Sequence, residues 1–170
     1  MRIGLTVVAL SIGAALLASG QAHAQDVVMQ RNLSLGLAKT IAEAALAECK
    51  AKGYHTTVAV VDRAGQLLVL LRDEGAAPHT IEMARRKAYT ARMFRMTTQD
   101  FQKRTTPDQP TAGQRDITDM LALSGGVPIQ IGTDPANRET IGAVGSSGSS
   151  LESDDACAKA GIAKVADKLK

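Results

Sequence analysis

Six side chains that can bind a metal ion or an anion lie on one predicted helix, within residues 75–94. Imidazole, thioether and phenol groups are ligands that iron accepts, and guanidinium groups pair with carboxylates and phosphates. Pro78 suits a first helical turn, so the helix is expected to begin near Pro78 and to run to about Phe94. The candidate cofactor-binding residues are His79, Met83, Arg85, Arg86, Tyr89 and Arg92.

Helical periodicity divides this segment into faces. A line of small apolar residues would let the helix lie close against a sheet, and it consists of Ile81, Ala84, Ala88 and Ala91. The two polar lines are His79, Met83, Arg86 and Thr90, and Arg85, Tyr89, Arg92 and Met96. Their side chains are expected to converge on one cavity that suits a flat anionic ligand. The alternative is that three arginines and a lysine on one helix form an ordinary solvated face.

This set of side chains is compatible with haem. Ferric porphyrin needs one or two axial ligands, basic groups for its propionates and apolar contacts for its ring. His79 is the favoured iron ligand and Met83 a second candidate, while Arg85, Arg86 or Arg92 could meet the propionates. Covalent attachment is excluded because the sequence has no C-x-x-C-H motif. With two Phe, two Tyr and no Trp, the composition favours a shallow or intersubunit site over a deep pocket.

Two other kinds of protein were weighed against the haem hypothesis. The glycine-rich residues 142–148 precede a predicted helix and could bind a carboxylate together with Arg85 and Arg92, as in a small-molecule sensor or accessory subunit. The simpler interpretation of these glycines is a flexible link between a strand and a helix. A structural oligomer without a ligand is the third possibility. The sequence lacks a Walker A loop and a G-x-S-x-G motif, which argues against nucleotide binding and serine hydrolysis.

The N-terminal residues have the pattern of a secretory signal peptide. Met1 and Arg2 give a basic start, residues 3–18 are apolar, and Ala22 and Ala24 occupy the small-residue positions of an A-x-A cleavage site. Residues 1–24 are therefore expected to be removed, leaving residues 25–170 as one domain in the periplasm or outside the cell. The apolar run is shorter than the roughly 20 residues that a membrane span needs.

Charge and cysteine content narrow the choice of partners. Cleavage would remove one arginine and no acidic residue, so the formal charge falls from +3 to +2. This weak charge and the scarcity of aromatic residues argue against nucleic-acid binding. Cys49 and Cys157 are candidates for a disulfide in an oxidising compartment. Two buried thiols or a metal pair are the alternatives.

The remaining pattern predicts an α+β domain with an antiparallel sheet of about five strands flanked by helices. Hairpins are expected within residues 57–71 and 128–144. The strands of the first hairpin are apolar at nearly every position, so helices should cover one face and a second subunit the other. Residues 34–53 should form the first helix. The last should follow a capping box at Ser149 and Glu152 and bury a line ending in Val165 and Leu169.

Three connecting segments lack the regular hydrophobic pattern of a helix or a strand. Residues 25–32 are expected to form a loosely held arm, and residues 145–150 an irregular link. Residues 97–124 are either a flap over a site or a poorly ordered connection, with short helices near 98–103 and 116–121.

Five sequence segments resemble the GlcG/HbpS family of haem-binding proteins. They are TIAEAALAECKAKG (40–53), VAVVDRAGQLLVLLRDEGA (58–76), RRKAYTARMF (85–94), GGVPIQI (125–131), and IGAVGSSG with DDACAKAGI (141–162). The resemblance implies a profilin-like or PAS-like fold and homo-oligomers. It also implies haem or iron binding, with haem degradation proposed for some members, while others accompany glycolate oxidation or form the C-terminal domain of PduO-type enzymes. Because axial ligands differ among members, His79 rests on its chemistry alone.

Overall fold

The computed structural model describes residues 28–170, which form four α-helices and a four-stranded antiparallel sheet. The elements are α1 (Leu35–Ala51), β1 (Thr57–Val61), β2 (Leu67–Arg72), α2 (Thr80–Phe94), α3 (Thr98–Arg104), β3 (Gly126–Ile131), β4 (Glu139–Ser147) and α4 (Leu151–Ala163). The predicted α+β class is confirmed, with four strands in the described residues where about five were expected. The predicted signal peptide, residues 1–24, lies outside the described part.

The sheet has the order β2-β1-β4-β3, and every neighbouring pair is antiparallel. Both predicted hairpins are present, and they join where β1 pairs with β4. The prediction of an irregular link at residues 145–150 is wrong for its first half, since Gly145, Ser146 and Ser147 continue β4 and pair with β1. Their small side chains suit a strand that is covered closely on both faces.

Helices α1 and α4 cover one face of the sheet. Alternate strand residues such as Val58, Val60 and Val144 point into a core that they share with Ile41 of α1 and Ala158 of α4. The predicted disulfide is present, and it joins Cys49 of α1 to Cys157 of α4 across 108 residues of chain. In the chain-entropy model, closing a loop of this length contributes roughly 4 to 5 kcal/mol.

Helix α2 covers the opposite face through the predicted line of alanines. Ala84, Ala88 and Ala91 are fully buried, and the last two pack against Val61 and Ala143. Ile81 was expected in the same line but is 39% exposed. At 100° per residue Ile81 lies about 50° from the centre of the alanine line, which turns its side chain away from the sheet.

The close approach of α2 to the sheet depends on glycines in the facing strands. A Cβ atom added to Gly145 would lie 2.2 Å from the carbonyl oxygen of Ala84, and one added to Gly126 would lie 2.3 Å from that of Lys87. Both clashes involve helix backbone, which cannot move aside as a flexible side chain can. The alanine line and these glycines therefore set the distance between helix and sheet together.

The segment 97–124 is an ordered cover for the outer face of α2. The α3 helix packs Phe101 against Phe94, with ring centroids 4.4 Å apart, and the backbone N–H of Leu121 donates to Thr90 Oγ1 at 2.8 Å. The short helix near 98–103 is confirmed as α3. The prediction of a short helix near 116–121 is wrong. A 3₁₀ turn spans Ala112–Asp116 instead, and the left-handed φ of 69° at Asp119 prevents a regular helix there.

The chain ends differ from expectation in three respects. The N-cap of α4 is Ser150 and not Ser149, because Ser150 Oγ accepts from the N–H of Ser153 at 3.2 Å. α4 stops at Ala163, so the buried Val165 and Leu169 follow the helix instead of belonging to it. At the other end, the arm is held at Asn32, whose side-chain oxygen accepts from the N–H of Arg63 at 2.9 Å.

No helix within residues 28–170 combines the length and the hydropathy that crossing a bilayer requires.

Replacing Gly145 by Ala should force α2 away from the sheet and lower the free energy of unfolding by roughly 3 kcal/mol, because the added methyl group meets helix backbone. Gly36→Ala is the matched control. Gly36 lies in α1 with open space around its Cα, so the same change there should stabilise the protein by about 0.5 to 1 kcal/mol. Urea unfolding followed by circular dichroism measures both, and equal effects would contradict the close-packing account.

Candidate functional site

A cleft of about 550 Å³ lies at the start of α2, where the ends of β1 and β4 approach the first turn of α4. Its volume falls within the range of small-molecule sites, roughly 300 to 1,000 Å³. The lining residues come from five parts of the chain: Gly53, Tyr54, His55, Gly75, Ala77, His79, Thr80, Met83, Lys87, Ser147, Gly148, Ser149, Leu151 and Asp154.

A pair of threonines fixes the start of α2. Thr80 is buried, its hydroxyl donates to the carbonyl of Ala77 at 2.6 Å, and it lies 2.7 Å from the hydroxyl of Thr57 on β1. His79 occupies the N-cap position, but its side chain makes no capping hydrogen bond. Met83 follows one turn later, so His79 and Met83 present an imidazole and a thioether to the same cleft.

A second imidazole enters the cleft from the connection between α1 and β1. His55 Nδ1 lies 2.6 Å from a carboxylate oxygen of Asp73, which also accepts from the N–H of Gly75 at 2.9 Å. Lys50 approaches the other oxygen of Asp73 at 3.3 Å. With Nδ1 directed at a carboxylate, His55 keeps Nε2 available as a ligand atom. The sequence carries no local signal for this arrangement, since Asp73 lies 18 residues from His55.

The hydrogen bonds to Asp73 also set its charge. The Gly75 N–H and the His55 imidazole lower the pKa of Asp73 from 3.8 to about 2, against the opposing effect of burial. Because its pKa lies far below 7, Asp73 is ionised at neutral pH although it is only 3% exposed.

The floor of the cleft contains a buried ion pair. Lys87 is fully buried, and its Nζ donates to Asp154 Oδ2 at 2.7 Å and to the carbonyl of Ser146 at 2.9 Å. Burial lowers the pKa of Lys87, while the charge of Asp154 and its hydrogen bond act in the opposite direction. The other Asp154 oxygen accepts from the N–H and hydroxyl of Ser149.

The alternative that this lysine belongs to a solvated face is therefore wrong. His79, Met83 and Lys87 recur at steps of four residues, and that spacing could have placed Lys87 beside the other two. A lysine is rarely fully buried unless it is paired, so its residue type alone favoured a solvated face.

The structure separates the other four predicted cofactor-binding residues from His79 and Met83. Arg85 pairs with Glu82 and Asp119, both at 2.7 Å, and these carboxylates raise its pKa. Arg86 donates to the carbonyl of Met120. Their partners lie on the polar side of α2 or in the segment that covers it.

The two remaining candidates lie toward the β1–β2 turn. Tyr89 packs against Gly65, and Arg92 lies beside Arg63. Among the described residues, only two of the six candidates, His79 and Met83, therefore line the cleft, and the other four lie elsewhere. Likewise, Arg85 and Arg92 do not share a site with residues 142–148, the set on which the small-carboxylate hypothesis depended. Ser147 and Gly148 line the cleft instead.

Within residues 28–170, no three His, Cys, Asp or Glu side chains converge as a metal site. A metal at the cleft would have to bring further ligands with it, as the iron of a porphyrin does.

The chain is a small α+β domain with a cleft at the start of α2, and comparison with known proteins identifies the family. The chain belongs to the HbpS-like family, since the family model described as "Haem degrading protein HbpS-like" matches residues 33–163. The resemblance found in the sequence is thus confirmed.

Solved structures and a curated relative agree with this assignment. The crystal structure of HbpS is 34% identical, covers 84% of this chain and 96% of its own, and superimposes with a TM-score of 0.74. A PduOC:heme complex is 25% identical, with coverage of 78% and 94% and a TM-score of 0.70. An uncharacterized 15.0 kDa protein from the dhaT–dhaS intergenic region of Citrobacter freundii is 29% identical over 125 residues, which is 72% of this chain and 84% of the relative.

The lowered pKa of Asp73 predicts a specific dependence of stability on pH. Because the folded-state pKa is about 2 and the ordinary value is 3.8, the stabilisation from Asp73 is fully present above about pH 4 and is lost as the pH falls toward 2. The Asp73→Asn variant should unfold more readily than the unmodified protein at pH 6, and the difference should shrink as the pH falls from 4 to 2. Urea unfolding at several pH values measures this.

Asp167→Asn, which changes an exposed carboxylate near the C-terminus, is the matched control and should have little effect at any pH. A gap between Asp73→Asn and the unmodified protein that stayed constant down to pH 2 would contradict the hydrogen-bonding account of Asp73.

Proposed function

We propose that this protein is exported and binds haem in the cleft at the start of α2, with His79 as an iron ligand. The observation that carries the proposal is that two imidazoles and a thioether, from His79, His55 and Met83, line one cleft. Membership of the HbpS-like family and the similarity to a PduOC:heme complex support it. The signal-peptide pattern of residues 1–24 supports export.

The residues present fit the group. Among the described residues the His79 side chain has no hydrogen-bond partner, so its imidazole is free to bind iron. His55 is oriented by Asp73, as ligand imidazoles commonly are by a carboxylate. Met83 adds a soft sulfur atom one turn along α2. Bound haem would supply a redox-active iron, and the protein would supply its ligands and orientation.

The cleft lies at the surface and has a volume of about 550 Å³. Small residues keep it open, namely Gly53, Gly75, Ala77 and Gly148, and Leu151 adds an apolar contact. For the propionates, the hydroxyls of Ser147 and Ser149 and the positive end of the α2 dipole take the place of Arg85, Arg86 and Arg92. A shallow site agrees with the scarcity of aromatic residues in the sequence.

An open cleft also favours a homo-oligomer in which a second copy shields the bound group. The family description makes haem degradation the enzymatic alternative to carrying or sensing haem.

Haem titration of residues 25–170 should give a saturable Soret band with a stoichiometry of one per chain. His79→Ala should change the Soret spectrum and weaken binding by at least about tenfold, because it removes a direct ligand to iron. His55→Ala should change the ligand field as well if its free Nε2 also reaches the iron. Ile81→Ala is the control, since Ile81 is exposed on the same helix but outside the cleft.

Two outcomes would contradict the proposal at different levels. The absence of a saturable Soret change would remove haem binding altogether. An unaltered spectrum in both His79→Ala and His55→Ala would leave haem binding intact and remove the cleft as its site. Incubation of the loaded protein with a reductant and oxygen, followed by pigment analysis, tests for degradation.

A further inference from the structure

A second polar recess lies at the opposite end of α2 from the cleft. It has a volume of about 180 Å³ and is lined by Arg63, Arg92, Arg95, Arg138, Glu139 and Thr140. Arg63 and Arg92 also border an adjoining recess of about 370 Å³ that reaches Gln30 and Asn32. We refer to Arg63, Arg92, Arg95 and Arg138 as the arginine cluster.

The arginine cluster is assembled by the fold from distant parts of the sequence. Arg63 lies in the β1–β2 turn, Arg92 in the last turn of α2, and Arg138 directly before β4. Arg95 caps α2 with a left-handed φ of 56°, which turns the chain at this point. The four guanidinium groups therefore meet through tertiary structure, and they are not the solvated face of one helix.

The acidic groups near the arginine cluster already have partners within the chain. Glu139, which lines the recess, pairs with both Arg31 and Arg63, and these arginines lower its pKa. Asp62 accepts hydrogen bonds from the N–H groups of Ala64 and Gln66 and so holds the hairpin turn. Arg92, Arg95 and Arg138 form no ion pair with any residue that the structure describes.

Arg92 is a partly buried member of the arginine cluster and forms no ion pair among the described residues. Its Nε atom is buried and has no hydrogen-bond partner in the described part of the chain. Burial lowers the pKa of Arg92, and the positive charges of Arg63 and Arg95 lower it further, while the charge of Asp62 acts in the opposite direction. A guanidinium group held in this way destabilises the folded protein unless an anion compensates it.

We propose that the arginine cluster binds a compact oxyanion with two or more negative charges, of the phosphate or polycarboxylate class. The planar forks of arginine match the paired oxygen atoms of these groups, and several forks around one small recess favour multiple charge. The recess is too small for a porphyrin. It lies about 20 Å along α2 from His79, at 1.5 Å per residue, so the proposal is independent of haem binding in the cleft.

Calorimetric titration of residues 25–170 with inorganic pyrophosphate, and separately with citrate, tests the proposal. At least one of the two should bind saturably at one site per chain, and the comparison identifies the class of anion. Arg92→Met should weaken that binding by at least about tenfold, since it removes charge-assisted hydrogen bonds. Without anion the same variant should melt at a higher temperature, because burial and repulsion of the guanidinium are relieved.

Arg138→Gln, at an exposed member of the cluster, is a second variant that should weaken binding without disturbing the fold. Arg104→Gln is the matched control. Arg104 is exposed on α3 and contacts the Phe94 ring, so this change alters the net charge equally but should leave the affinity unchanged.

Three results would overturn the proposal. One is the absence of saturable binding of both anions at low ionic strength. Another is an equal loss of affinity in Arg104→Gln, which would indicate attraction by net charge alone. The third is a fall in oligomer size in Arg92→Met, measured by sedimentation without added anion, because the cluster would then be neutralised by a second copy of the chain.

Discussion

The buried ion pair between Lys87 and Asp154 is the interaction on which the architecture of the cleft depends. Lys87 belongs to α2 on one face of the sheet and Asp154 to α4 on the other, and they meet past the end of β4. Since each charge has been removed from water, either one alone would destabilise the fold strongly. The pair therefore fixes the two helices relative to each other at the point where the cleft opens.

This constraint connects packing to the site. Gly145 and Gly126 let α2 approach until Lys87 can reach the carbonyl of Ser146, and the free oxygen of Asp154 then fixes Ser149 above it. The Thr57–Thr80 contact holds His79, and Asp73 orients His55. Each of these parts of the cleft is thus held in place by a hydrogen bond of its own. The two ends of α2 carry different side chains. Imidazole and thioether groups lie at its start, and guanidinium groups lie at its end.

Local patterns predicted much of this structure. The alanine line and the two hairpins follow from spacing and composition within short stretches of sequence, the cysteine pair follows from the presence of two cysteines, and each is present. The predictions are wrong where contacts between distant segments decide the outcome. The arginines of α2 do not surround one cavity, because residues 97–124 supply partners for Arg85 and Arg86. The burial of Lys87 likewise depends on a partner 67 residues away.

A double-mutant cycle on Lys87 and Asp154 tests the central claim most directly, with the free energy of unfolding obtained from urea denaturation of Lys87→Met, Asp154→Leu and the double variant. Each single change should cost roughly 3 to 5 kcal/mol because it leaves one buried charge without its partner. The double variant should recover most of that loss, since two apolar side chains need no pairing. Small single effects that simply add in the double variant would show that the pair does not hold the cleft together.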